Sequence, residues 1–155
     1  MEQNWTRALK GSISDAFSTM FFMVPDEDPD LKEKIYSEPA AGWIEGWAEV
    51  TRQDRKVRLW VWSTSDLAGE LAGNILSADP AGISPEEVLD AYREMINIVV
   101  GSLLTKVDKE SQWNMSLPQS ERLNTGTMAE TLAKAQELFF YDLEGSPLAA
   151  GWKSF

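Results

Sequence analysis

The chain of 155 residues contains no cysteine and no histidine. Without cysteine there is no disulfide framework, no thiolate nucleophile and no thiolate metal site. Without histidine the Ser-His and Cys-His nucleophilic schemes fall away as well, together with the common zinc sites. Carboxylates, amides, hydroxyls and amines remain, and a metal held by this chain would need oxygen ligands. Positive charge is also scarce. Fourteen Lys and Arg stand against 25 Asp and Glu, a formal net charge of −11. Nucleic acids and anionic membranes are bound through basic patches, so neither is an expected partner. Long apolar runs are missing too. Met1 to Lys10 lacks the apolar core of a signal peptide, and the run Ile96 to Leu104 is interrupted by Gly101 and Ser102 and too short to cross a bilayer. A soluble, cytoplasmic protein with a protein or small-molecule partner is expected.

What is present is ordinary globular material, 43% hydrophobic and 25% charged. The length suits one core, so residues 1–155 are read as a single domain.

The stretch with the most information begins at Ser84. Ser84 can cap a helix, Pro85 suits its first position, and Glu87 closes a Ser-x-x-Glu capping box. A helix is predicted from Pro85 to about Val107. At 100° per residue, Val88, Tyr92, Met95, Val99 and Leu103 share one side, and Asp90, Glu94, Asn97 and Gly101 form a narrow stripe opposite. Such a stripe is ordinarily a solvated face. Asn97 is the odd member, because it interrupts the apolar run Met95 to Val100 and its side chain competes for backbone hydrogen bonds.

The rest of the chain reads as follows. A first helix is predicted from about Ile13 to Met23, with Ser12 as cap and Asp15 closing a capping box. Pro25 to Asp30 is an acidic, proline-broken connector lacking the glycine and final glutamate of an EF-hand loop. Trp43 to Val50 and Val57 to Trp62 alternate as a strand pair. One face is aliphatic; the other mixes tryptophan with Glu and Arg and could cover a sheet, line a ligand groove or form a subunit interface. A helix over about Asp66 to Leu76 follows, ended by Ala78 to Gly82. Trp113 to Leu117 reads as a short strand, Gln119 to Gly126 as a polar loop, and Thr127 to Gln136 as ambiguous with helical composition. A terminal hairpin is predicted from Leu138 to Leu143 and Leu148 to Trp152 across Glu144 to Pro147. The order predicts an α+β domain with helices packed on an antiparallel sheet. A helix followed by paired strands occurs twice, which hints at an internal pseudo-repeat.

The run Glu86 to Ala91 followed by Glu94 to Gly101 resembles the active helix of the CheC/CheX chemotaxis phosphatases, whose signature is an acidic residue, then Glu-x-x-Asn, then glycine. Met115-Ser116-Leu117-Pro118 and Thr125-Gly126-Thr127 resemble that family's Ser-Leu-Pro strand end and glycine turn. The element order is similar from about residue 12 onward. CheC-type members carry a second Glu-x-x-Asn in the first helix; Asp15-Ala16-Phe17-Ser18 lacks the amide, so the likeness is to CheX with a single site. FliM-type switch proteins share the fold without the catalytic pair. Arg93 departs from the small residue CheX-like sequences often have there, and it leaves substrate choice open with the polar segment Gln119 to Asn124.

The resemblance implies a phosphatase for the aspartyl phosphate of a phosphorylated CheY-like receiver domain. An acyl phosphate is already activated, and the receiver supplies its own aspartate and Mg2+, so no cofactor or metal bound by this chain is expected. Asn97 would place a water in line with phosphorus, accepting through its carbonyl oxygen and donating through its NH₂; it does not titrate near neutrality and cannot be a general base. Glu94 would pair with the receiver's lysine, Asp90 would extend or support that contact, and Gly101 would allow close backbone approach. The alternatives are a non-catalytic binding module for receivers or motility components, and a ligand-binding domain using the tryptophan face. A homodimer through the aromatic strands is a further expectation.

Overall fold

In the computed structural model, which describes residues 4–107, 110 and 112–155, the chain runs α1 (Trp5–Met20), β1 (Asp26–Glu27), α2 (Leu31–Tyr36), β2 (Trp43–Arg52) and β3 (Arg55–Thr64). It continues through α3 (Ser65–Leu76), a 3₁₀ turn (Pro80–Gly82), α4 (Pro85–Val107), β4 (Asn114–Met115) and β5 (Gln119–Arg122), and closes with α5 (Met128–Leu132), β6 (Glu137–Leu143) and β7 (Ser146–Ser154). The sheet order is β1-β6-β7-β3-β2-β4, with β5 also pairing β2, at Ile44 to Trp47 where β4 takes Val50 and Thr51. All pairings are antiparallel. This is the α+β architecture that the order of periodicities predicts.

The two faces of the sheet carry separate cores. Ile44, Ala48 and Val50 of β2 and Val57, Leu59 and Val61 of β3 face a layer formed by α1, α3 and α4. The opposite face presents Trp43, Trp60 and Trp62, covered by Ile35 of α2 and by Met128 and Leu132 of α5. Trp43, Trp60 and Trp62 are only 3, 2 and 0% exposed, so these three rings are packed interior. Trp60 and Trp62 stack at 5.7 Å, and the Arg58 guanidinium lies 4.0 Å from the half-buried Trp47 ring. Arg58 also donates to the cross-strand Glu49 carboxylate at 2.8 Å. A buried indole removes roughly 150–250 Å² from water, which at about 25 cal/mol per Å² is several kcal/mol each.

Several elements differ from the sequence expectations for identifiable reasons. Helix α1 starts eight residues before Ile13, capped by Asn4, whose carbonyl oxygen accepts from Arg7 N–H. Trp5, Ala8 and Leu9 extend the buried face through Gly11. Ser12 is therefore no cap; its buried hydroxyl donates back to Ala8 and Leu9 carbonyls, and Asp15 pairs with Lys106 of α4. The helix stops at Met20 because Phe22 turns left-handed at φ 54° and Met23 N–H bonds back to the Phe17 carbonyl. Within the acidic connector, Asp26 and Glu27 pair with Asp142 and Tyr141. The polar segment from Gln119 contains strand β5, because backbone pairing to β2 needs no apolar side chain. The expected strand from Trp113 shrinks to Asn114–Met115, and Trp113 packs edge-on against Trp5 at 5.1 Å. The ambiguous segment after Thr127 is a short helix capped by the Thr127 hydroxyl. Glu144 and Gly145, both at positive φ, make the terminal hairpin a two-residue turn, so β7 begins at Ser146.

Candidate functional site

Helix α4 has the start its sequence predicts: Ser84 N–H donates to the Glu87 carboxylate at 3.1 Å and Glu87 N–H to the Ser84 hydroxyl at 3.2 Å. Its inner side buries Val88, Tyr92, Met95, Ile96, Val99 and Leu103. Tyr92 anchors it to the sheet by donating its hydroxyl to the Val61 carbonyl at 3.2 Å, and burial, foremost, pushes the phenol pKa up and keeps it protonated. Gly46 of β2 lies directly beneath, where a Cβ would stand 2.6 Å from the Tyr92 ring and 2.8 Å from Ile96. A helix pressed this close to a paired strand is a rigid support for whatever its outer side carries.

That outer side carries Asp90, Glu94 and Asn97, all exposed. With Arg93 they line an open pocket of about 610 Å³, whose other wall is residues 117–119, leading into β5. Gly101, one turn on, is half-buried and outside the pocket lining; a Cβ there would meet nothing within 4 Å among the described residues. Packing among the described residues therefore does not demand its smallness.

The members differ in what already holds them. The Arg93 guanidinium forms an ion pair with Asp90 and donates to the Ser120 hydroxyl at 3.0 Å, and Ser120 donates onward to the Leu89 carbonyl at 2.8 Å. Glu94 and Asn97 have no side-chain partner among the described residues. The Ser120 hydroxyl, engaged on both sides, is no free nucleophile. The pocket thus offers an open carboxylate, an open amide one turn along, and a tethered cation. That set can position a water or a polar partner, and its amide does so by hydrogen bonding alone. Among the described residues no three Asp or Glu side chains gather as they would around a metal ion, and no helix is long and apolar enough to cross a membrane.

Sequence reasoning treated Arg93 only as a departure and missed Ser120. The signal for the first was present, since Asp90 and Arg93 are spaced to meet on a helix. The second required knowing that β5 lies against α4.

The family model for the chemotaxis phosphatase CheX matches residues 52–142. The chain belongs to this family. The match contains α4, the pocket wall and β5. Among solved structures, the CheX chemotaxis protein of Vibrio vulnificus is similar over 97% of both chains at 16% identity and TM-score 0.72. A CheC-like superfamily protein of Shewanella is similar over 99% of both at 17% identity and TM-score 0.69. The CheX in a CheX-CheY-BeF3-Mg2+ complex from Borrelia burgdorferi is similar over 99% of both chains, at 11% identity and TM-score 0.68. At these identities the likeness is one of fold. No curated protein matches the chain in sequence.

Proposed function

We propose that this CheX-family protein hydrolyses the aspartyl phosphate of a CheY-like receiver, with Asn97 orienting the attacking water and Glu94 docking onto the receiver's active-site lysine. The observation that carries this reading is the pairing of Glu94 and Asn97, neither with a side-chain partner among the described residues, on one exposed turn of a helix anchored by Tyr92 and Gly46. It is supported by the structural neighbour that binds CheY with BeF3 and Mg2+. Helix α4 would enter the receiver's phosphorylation pocket. Asn97 would hold a water by its amide carbonyl while its NH₂ donates to a neighbouring oxygen. Attack of that water forms the new P–O bond as the P–O bond to the aspartate carboxylate breaks. The carboxylate is regenerated and the water proton leaves with inorganic phosphate, so no titrating base on α4 is needed. Asp90, already balanced by Arg93, would flank the contact, and the Mg2+ would belong to the receiver.

The test is phosphate release from a panel of phosphorylated receivers, together with binding of the same receivers. Asn97→Ala should lower stimulated release by about a hundredfold, the scale of a lost positioning group, while leaving binding nearly intact. Glu94→Ala should weaken both. Both residues are exposed, so the unfolding free energy should move by no more than about 0.5 kcal/mol. Undiminished release by Asn97→Ala would overturn the mechanism, and binding without release by the wild-type protein would favour a non-catalytic receiver-binding module.

A further inference from the structure

Arg93 is the cation of a pocket whose neighbouring groups are carboxylates and an amide, in a chain of net charge −11. Its guanidinium is held from two sides, by Asp90 and by the Ser120 hydroxyl at 3.0 Å, and its side chain is 37% exposed. Guanidinium has five N–H donors in a planar fork; one on each terminal nitrogen is engaged, and the others have no partner among the described residues. The bond to Asp90 spans a single helical turn, and the Asp90 side chain is 68% exposed. Exposed pairs of that kind contribute little and exchange readily. Along α4 the charges therefore alternate: Asp90 negative, Arg93 positive, Glu94 negative. Beside them Leu117, 81% exposed, puts an apolar side chain on the pocket wall.

We propose that Arg93 is a specificity-determining contact, taking an acidic side chain on the rim of the partner receiver's phosphorylation pocket and exchanging its bond to Asp90 for that carboxylate. This rests on the receiver reading above and adds the partner's chemistry: a surface with a cation to meet Glu94, a carboxylate to meet Arg93, and an apolar residue against Leu117. Like-charge contact at Arg93 is penalised, so the residue selects among receivers as well as attracting one. The Ser120 bond keeps the guanidinium extended toward the pocket wall and limits the freedom lost on docking.

The experiment measures affinity for receivers loaded with beryllofluoride and Mg2+, at about 0.05 M and about 0.5 M salt, a range over which the Debye length shrinks about threefold. The proteins compared are wild type, Arg93→Met, Arg93→Glu and Ser120→Ala, each first checked for wild-type thermal unfolding. For the preferred receiver, Arg93→Met should weaken binding roughly fivefold to tenfold at low salt and Arg93→Glu more, with most of the difference lost at high salt. Ser120→Ala should weaken it by less than Arg93→Met. Arg93→Glu binding within twofold of wild type overturns the inference. So does a loss that is equal at both salt concentrations or equalled by Ser120→Ala, either of which marks Arg93 as a strut between α4 and β5. These readouts do not depend on hydrolysis. A wild-type protein that binds no receiver of the panel overturns the receiver reading itself and this inference with it.

Discussion

Replacing Gly46 by alanine should push α4 away from the sheet and cost both stability and turnover. A Cβ at that position would lie 2.6 and 2.7 Å from two Tyr92 ring carbons and 2.8 Å from Ile96 Cγ1. Carbon atoms pack best at about 3.5–4.0 Å, so roughly 1 Å of relief is required. Neither side chain can supply it alone. Tyr92 and Ile96 are 2 and 1% exposed, and the Tyr92 hydroxyl is tied to the Val61 carbonyl. Strand β2 cannot retreat easily either, being paired to β3 on one side and β5 on the other. The helix must shift. Overpacking of this sort costs about 1–3 kcal/mol, partly offset by the roughly 0.5–1 kcal/mol by which alanine outperforms glycine inside a strand. A net loss of about 1–2 kcal/mol is expected, read as a lower urea midpoint at unchanged slope. Glu94 lies between Tyr92 and Ile96, and Asn97 directly follows Ile96, so the same shift misplaces both. For a group whose role is positional, about 1 Å is enough for a roughly hundredfold loss of rate, read as phosphate release from a phosphorylated receiver. An alanine variant with wild-type midpoint and wild-type release would refute the idea that Gly46 sets the height of α4.

Two other perturbations probe the support around the site. Ser84→Ala removes half of the capping box and should cost about 1 kcal/mol in chemical denaturation while leaving phosphate release nearly unchanged, because the loss falls at the helix start. Glu121 has its pKa raised, first by a hydrogen bond with the Glu45 carboxyl and then by burial, against the opposing Lys134 charge. Its folded form holds a proton more tightly than the unfolded chain. The resulting stability is fully present below the ordinary carboxylate pKa and lost as pH rises through the raised value. Glu121→Gln should therefore flatten the decline in melting temperature between acid and neutral pH, and a profile identical to wild type would count against the carboxyl pair.

The elements legible in the sequence were those whose own side chains report their surroundings. The capping box at Ser84 and the aliphatic alternation of Ile44, Ala48 and Val50 each specify a local geometry and occur as read, and the terminal hairpin occurs with a tighter turn at Glu144 and Gly145 than expected. What escaped was structure specified from elsewhere. Strand β5 is polar throughout and is a strand because the β2 edge needs backbone partners. The start of α1 was obscured by Gly11, whose helical cost is repaid by burial of Trp5 and Leu9 on the same face. The tryptophans of β2 and β3 were compatible with covering a sheet, lining a groove or forming an interface, and the short helices α2 and α5 cover three of them.

The candidate site divides in the same way. Asp90, Glu94 and Asn97 lie on one helix, and helical periodicity alone puts them on a shared side. Arg93 could be paired with Asp90 from spacing, but its second hold, Ser120, belongs to another element and becomes visible only when β5 is laid against α4. That second hold fixes Arg93 between α4 and β5, beside a glycine packed beneath the helix and a buried tyrosine hydroxyl tying it to the sheet. Those three restraints converge on the turns that bear Glu94 and Asn97, whose own side chains have no partner among the described residues. The packing that makes this backbone rigid stabilises the free protein, while the exposed side chains above it are hydrated. A rigid support also lowers the ordering cost when a partner replaces that water, and the Gly46→Ala and Asn97→Ala proteins separate these two contributions, the first altering the support and the second the group supported.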